Sequence, residues 1–314
     1  MGFSLPTGDD TNAKSSAPTD PSEEADASEF PAPAWTRGEP RIAGATHVGV
    51  VRKVNQDAFG RFDDPNRGEI FLVVADGLGG HRGGEVASRM AVDFLGQNVF
   101  EGDADPPTRL HESIARANDS VLLAARDDLA LDGMGTTVVY LLLCENGRSY
   151  VAHVGDSRLY RLRSGRIEAV TEDHSLVATL VREGVLTEDE ARIDSRRNQI
   201  LRALGVRDDL EIDVAPIELQ PGDTYLLCSD GLHGMLEDEE IFDLAKRAAR
   251  PEPVVAQLVE AANEAGGTDN VTCLIANIPE PMEVDGLRDK ANRLFESTRS
   301  VFMRRDGSTE DDSE

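Results

Sequence analysis

Five aspartates are the residues best placed to do chemistry: Asp57 in RKVNQD, Asp76 in VVADG, Asp156 in HVGDSR, Asp230 in LLCSDG and Asp269 in GGTDNVT. Each borders a β-like apolar run, and four of them adjoin Gly, Ser or Asn, the residues of sharp turns. One Asp in such a place is ordinarily a turn former. Five at equivalent places suggest a shared task. If the fold gathers them, their mutual repulsion is severe unless cations intervene. Carboxylates and carbonyl oxygens without His or Cys partners suit hard ions such as Mg²⁺ or Mn²⁺. The stretch around Asp76, FLVVADGLGGHRGGEVAS at 71–88, also has the form of a phosphate cradle, with a buried strand, a glycine-rich bend and the opening of a helix.

The elements that must position these acids follow from periodicity. Fully or half-apolar runs predict strands at 43–51, 71–75, 135–144, 149–154, 158–163, 167–170, 212–219, 224–228 and 271–278. Asn146-Gly147 and Ser164-Gly165 read as hairpin turns. Apolar residues at helical spacing predict helices over 85–99, 110–129, 238–249 and 253–265. Residues 171–205 are polar and charged, with one helix expected over 175–182. They read as a flap laid over the surface rather than as core. Residues 1–40, rich in Ser, Asp, Glu, Pro and Ala, read as a disordered acidic tail. Residues 280–314 read as a C-terminal amphipathic helix followed by an acidic tail. That helix could pack on its own domain or dock on a partner or membrane surface.

The 314 residues carry a formal charge of −27. The excess is not confined to the tails: residues 41–278 hold 41 acids against 24 bases, a net −17. Such a surface argues against nucleic acid as a partner, and bound divalent cations would offset part of it. Three scattered cysteines, Cys144, Cys228 and Cys273, lie in or beside apolar runs. They read as buried reduced thiols of a cytoplasmic protein rather than a disulfide framework. No basic segment followed by an apolar run opens the chain, so no signal peptide is expected. The longest apolar run, 136–144, is too short to cross a bilayer.

Six segments in order resemble the metal-dependent protein phosphatases, the type 2C Ser/Thr phosphatases, in their bacterial single-domain form. They are Arg52-x-x-Asn55-Gln56-Asp57, ADGLGGHRGGEVAS at 75–88, GMGTT at 133–137, VGDSR at 154–158, SDGL at 229–232 and TDN at 268–270. The resemblance spans residues 41–279 and implies an α+β fold. That fold is a four-layer α-β-β-α sandwich of two mostly antiparallel sheets flanked by helix pairs. It also implies hydrolysis of phosphoserine and phosphothreonine on proteins, and a monomer. Asp76 would bridge two metal ions and the Gly77 carbonyl would bind the second. Asp230 and Asp269 would complete the first metal's shell, and Asp156 with Asp230 would hold a third, weaker ion. Asp57 would act near the second metal, and Arg52 would grip the substrate phosphate. A non-catalytic phosphoprotein-binding relative, or a phosphatase dedicated to one signalling protein, are the competing readings.

Three positions depart from the family pattern. Gln56 stands where Glu often precedes the Asp matching Asp57. Leu78 stands where some members carry a candidate proton-donating His, and His81 nearby is not assigned that role. Asp194-Ser195-Arg196-Arg197-Asn198 replaces the common His-Pro-x-Arg-Asn of the flap. His153 reads as packed, His174 and His233 stay unassigned, and Thr136 and Thr137 are expected to hydrogen-bond beneath the metal site.

Overall fold

The computed structural model describes residues 26–29, 39–79, 83–145, 148–246 and 250–279. Twelve strands run β1 Asp26–Glu29, β2 Arg41–His47, β3 Asp57–Asp64, β4 Glu69–Leu78, β5 Gly135–Thr136, β6 Val138–Cys144, β7 Arg148–Val154, β8 Arg158–Arg163, β9 Arg166–Ala169, β10 Asp213–Glu218, β11 Thr224–Cys228 and β12 Val271–Asn277. Seven helices are α1 Gly83–Asn98, α2 Pro106–Asp127, α3 Leu176–Arg182, α4 Glu188–Ile193, α5 Asp230–His233, α6 Asp238–Ala245 and α7 Pro251–Glu264. One sheet has the order β1-β2-β12-β11-β8-β9. The other has the order β10-β7-β6-β4-β3, with β5 attached to β4. Every described pairing is antiparallel.

The side chains of β4 show how the layers are built. Ile70, Leu72 and Val74 enter the layer between the sheets, against Leu141, Leu159, Tyr225, Leu227 and Leu274. Phe71, Val73 and Ala75 alternate to the other face and meet Ala91 and Leu95 of α1 and Leu110, Ile114 and Ala117 of α2. A strand buried on both faces must be apolar without interruption, as this run is. The other sheet repeats the arrangement, with Ala43, Tyr160, Leu226 and Ile275 covered by Ile241 of α6 and Val255, Leu258 and Val259 of α7. The result is the expected order of helices, sheet, sheet and helices.

Four expectations need correction. The strand at 43–51 stops at His47. Gly49 takes φ +83°, and the next two amides, Val50 and Val51, turn away to share the Gly267 carbonyl. Asp57 begins a strand, β3, where none was expected. Within the stretch read as a disordered tail, Asp26–Glu29 pairs with β2. The flap is not wholly surface. It carries a second helix, α4, closed by a Thr187–Glu190 capping box. Its last residues enter the core, where Leu204 is fully buried and exchanges backbone hydrogen bonds of 3.0 and 2.9 Å with Thr136. The amphipathic helix expected at the C-terminus, the turn at Asn146-Gly147 and His81 lie outside the described residues. No helix among the described residues is long and apolar enough to cross a membrane.

Candidate metal centre

The five aspartates arrive from different elements at one edge of the sandwich. Asp57 and Asp76 are direct cross-strand partners of β3 and β4. Asp156 follows β7, Asp230 opens α5 after β11, and Asp269 precedes β12. Their charges act on one another: Asp76 feels Asp57, Asp230, Asp156 and Asp269. All five positions singled out in the sequence are therefore brought together.

Local bonding fixes the backbones and leaves one carboxylate oxygen each of Asp57, Asp156 and Asp230 without a partner. The Asp76 amide donates to Thr137 Oγ1 at 3.1 Å, and its carbonyl accepts from Thr137 N at 2.8 Å and Thr136 Oγ1 at 2.9 Å. The two threonines thus lie beneath the site as expected. Asp57 Oδ2 accepts from Ser229 Oγ at 2.7 Å, which links β3 of one sheet to the end of β11 in the other. The Asp156 carbonyl accepts from the His233 ring at 3.0 Å. Burial, then the nearby Arg158, holds His233 down at about 3, so its ring is neutral and donates. Gly77 has no room for a side chain, since a Cβ there would lie 2.1 Å from the Gly84 carbonyl oxygen and 2.6 Å from that of Gln56. Glycine at this position lets the start of α1 close against the end of β4.

The electrostatics are those of a cation site. Burial, then the charges of Asp230 and Asp269, raise Asp57 to about 7, even though Thr272 and Ser229 donate to it. Burial, then Asp269, raises Asp230 to about 6, against the hydrogen bond to Asp76 and the charge of Arg52. Asp76 and Asp156 are pushed well above the carboxylate range, first by burial and then by neighbouring acids. Asp57 Oδ1, Asp156 Oδ1 and Asp230 Oδ1 are buried without a hydrogen-bond partner. Buried carboxylate oxygens left unpaired are costly, and hard cations are the ligands that oxygen-only sets accept. The residues present therefore fit divalent ions.

Arg52 stands at the rim, its Nη2 2.6 Å from Asp269 Oδ2. Asn270, which had no assigned role in the sequence, anchors the loop that carries Arg52. Its Nδ2 donates to the carbonyls of Val48 at 2.8 Å and Val54 at 3.0 Å, and its Oδ1 accepts from Gln56 N at 2.8 Å. One buried amide side chain thereby clamps both ends of residues 48–56. The available signal was a polar residue directly after Asp269, at the start of a buried strand. Asn270→Ala leaves three backbone groups to find water. It should cost about 3 kcal/mol of stability and weaken competitive inhibition by inorganic phosphate. Thermal unfolding and inhibition assays check this, and an unchanged phosphate affinity would remove Asn270 from this role.

Among the described residues, His153, His174 and Asp213 have ligand atoms within 4.8 Å of one another, close enough to suggest a second ion. Each is already held by hydrogen bonds. His153 Nε2 donates to the Glu172 carbonyl at 2.8 Å, and His174 Nδ1 accepts from Gly155 N at 3.2 Å. That leaves the proton on His174 Nε2 to meet Asp213 Oδ2 at 3.3 Å, with Arg202 Nη1 3.2 Å from Asp213 Oδ1. The rings stack at 4.5 Å between centroids, so His153 is packed, as expected. This polar knot ties both ends of the flap to the sheet, and the 2.7 Å bond from Leu201 N to the His174 carbonyl joins the two ends to each other. Asp194, in the departed flap segment, closes locally on Arg196 through three bonds of 2.7–2.9 Å.

A two-sheet sandwich with an oxygen-only cluster at one edge and an arginine beside it fits a metal-dependent hydrolase of the phosphoester class. The profile described as Protein phosphatase 2C matches residues 43–274. The serine/threonine phosphatase Stp of Listeria welshimeri is 38% identical over 235 residues, covering 73% of this chain and 92% of that protein. The protein phosphatase PhpP of Streptococcus pneumoniae is 36% identical over 243 residues, covering 76% of this chain and 98% of that protein. Among solved structures, the Streptococcus agalactiae serine/threonine phosphatase superposes with a TM-score of 0.71 at 33% identity, covering 76% of this chain and 99% of that one. The catalytic domain of the phosphatase PstP, solved in complex with two manganese ions, superposes at 0.68 with 33% identity, covering 77% and 99%. The chain belongs to the protein phosphatase 2C family and is a protein serine/threonine phosphatase.

Proposed function

We propose that the five aspartates and the Gly77 carbonyl hold two divalent ions, Mn²⁺ or Mg²⁺, and a weaker third, and that the chain uses them to hydrolyse phosphoserine and phosphothreonine made by Ser/Thr kinases. The observation that carries this reading is the set of three buried, unpartnered carboxylate oxygens on Asp57, Asp156 and Asp230, around the raised Asp76. Asp76 would hold both ions, Asp230 and Asp269 the first, Gly77 and Asp57 the second, and Asp156 with Asp230 a weaker third. Bound there, the ions would supply an activated water and neutralise charge on the phosphoryl oxygens.

The chain's own groups do the rest. Arg52 presents a planar fork to two phosphate oxygens, and its 2.6 Å contact with Asp269 keeps it at the mouth of the cluster. Asn270 fixes the loop on which it rides. Thr136 and Thr137 hold the Asp76 backbone and Ser229 holds the Asp57 carboxylate, so little reorganisation is needed as charge develops. No thiol takes part: burial raises Cys144 and Cys273 to about 12 and pushes Cys228 up as well, so none offers a thiolate nucleophile. Three buried free cysteines suit a reducing compartment, and we place the enzyme in the cytoplasm, as a monomer. The full set of aspartates together with Arg52 disfavours a non-catalytic relative.

Protons compete with metal for these carboxylates. With Asp57 at about 7 and Asp230 at about 6 in the metal-free protein, and Asp76 and Asp156 also raised, affinity for Mn²⁺ should fall as pH drops through about 7. Calorimetric titration with Mn²⁺ across that range should show protons released on binding. An affinity independent of pH between about 5 and 8 would contradict the assignment.

A further inference from the structure

The loop that carries Arg52 reads Val50-Val51-Arg52-Lys53-Val54, and all five residues are exposed. Val50 is 51%, Val51 64% and Val54 43% exposed. Single apolar residues on a surface are ordinary. Here, of nine large exposed hydrophobic residues among those described, three fall within five positions centred on the arginine. A concentration of that kind beside a functional group marks a binding surface.

The loop is also rigid. Val50 N and Val51 N donate to the Gly267 carbonyl at 2.7 and 3.3 Å, and Asn270 grips Val48 and Val54. The backbone is therefore fixed before any ligand arrives. Valine has a single stiff χ1, so a partner that covers these side chains loses little entropy in ordering them. Local charge agrees with an anionic partner: Arg52 and Lys53 stand together in a domain with a net −17, and Lys53 is one of only four lysines in the chain.

We propose that Val50, Val51 and Val54 form an apolar platform that receives branched aliphatic side chains flanking the phosphorylated residue of a protein substrate. The enzyme would then select phosphopeptides by their neighbours as well as by the phosphate. This rests on Arg52 being the group that grips phosphate. The phosphoryl group anchors at Arg52, and the residues on either side of it pass over the valines.

The test compares two phosphothreonine peptides of equal charge, one with Val and Leu beside the phosphothreonine and one with Ser and Gly. The Mn²⁺-loaded full chain should favour the aliphatic peptide by about tenfold or more in kcat/KM. In a Val50→Ser/Val51→Ser/Val54→Ser variant that ratio should collapse toward one, and in Val51→Ser alone it should fall part of the way. Because both peptides are measured on one preparation, a general loss of activity cancels from the ratio. Equal rates for the two peptides in the unaltered protein, or an undiminished preference in the triple variant, would overturn the platform alone. Failure of the unaltered protein to hydrolyse even p-nitrophenyl phosphate with Mn²⁺ would overturn the phosphatase reading beneath it, and the platform with it.

Discussion

Replacing Asp76 with Asn should lower turnover by on the order of 10³-fold or more while raising the stability of the metal-free protein. The two effects share one cause. Asp76 faces four other carboxylates, and its backbone is fixed by Thr136 and Thr137, so its side chain cannot turn away from them. Burial, then those charges, push its proton affinity well above the carboxylate range. The unfolded chain loses this proton near the ordinary carboxylate value, whereas the folded protein retains it to a higher pH. Stability therefore falls as pH rises between those two values, and at neutral pH the group is a liability unless a cation is bound. Asn is isosteric and carries no charge, so it removes the repulsion along with the ligand. Thermal unfolding in EDTA should show the variant melting above the unaltered protein. Added Mn²⁺ should raise the melting temperature of the unaltered protein and leave the variant's nearly unchanged. Retained turnover, or an equal metal-induced shift in both proteins, would show that Asp76 is misassigned.

This coupling of stability to function explains which parts of the site could be read in the sequence. The run from Phe71 to Ala75 was legible because a strand buried on both faces tolerates no polar residue, and its end therefore announced Asp76. Asp156, Asp230 and Asp269 were legible for the same reason, each set in a turn against an apolar strand. The strand Asp57–Asp64 was not. Its sequence, DAFGRFDD, mixes acids with a glycine, since most of it is only half-buried at the outer edge of its sheet. The strand that Asp57 begins therefore went unpredicted.

Residues 171–205 misled in the opposite direction. Their charge is real and few of them are buried, but Leu204 is drawn into the core by a backbone bridge to Thr136 that no local pattern encodes. The clamp made by Asn270 and the bond from Ser229 to Asp57 were hidden for a related reason. They span 216 and 172 positions in the chain and exist only once the two sheets are stacked. His153, His174 and Asp213 show the converse risk. As residue types in proximity they resemble a metal site, whereas their tautomers and the guanidinium of Arg202 show a hydrogen-bonded tie between flap and sheet.

The second large effect is that of metal removal. Five acids at one edge, three with buried unpartnered oxygens, leave the chain with ligands for an ion and no general base of its own in the cluster beyond carboxylates that the ion would occupy. Arg52 alone can bind phosphate but cannot activate water. The most direct measurement is hydrolysis of p-nitrophenyl phosphate by the full chain, stripped with EDTA and then titrated with Mn²⁺ or Mg²⁺. Activity should be absent in EDTA and return with either ion, with half-saturation shifting to higher metal concentration as the pH is lowered below about 7. Full activity in EDTA, or none with any divalent ion, would contradict the account.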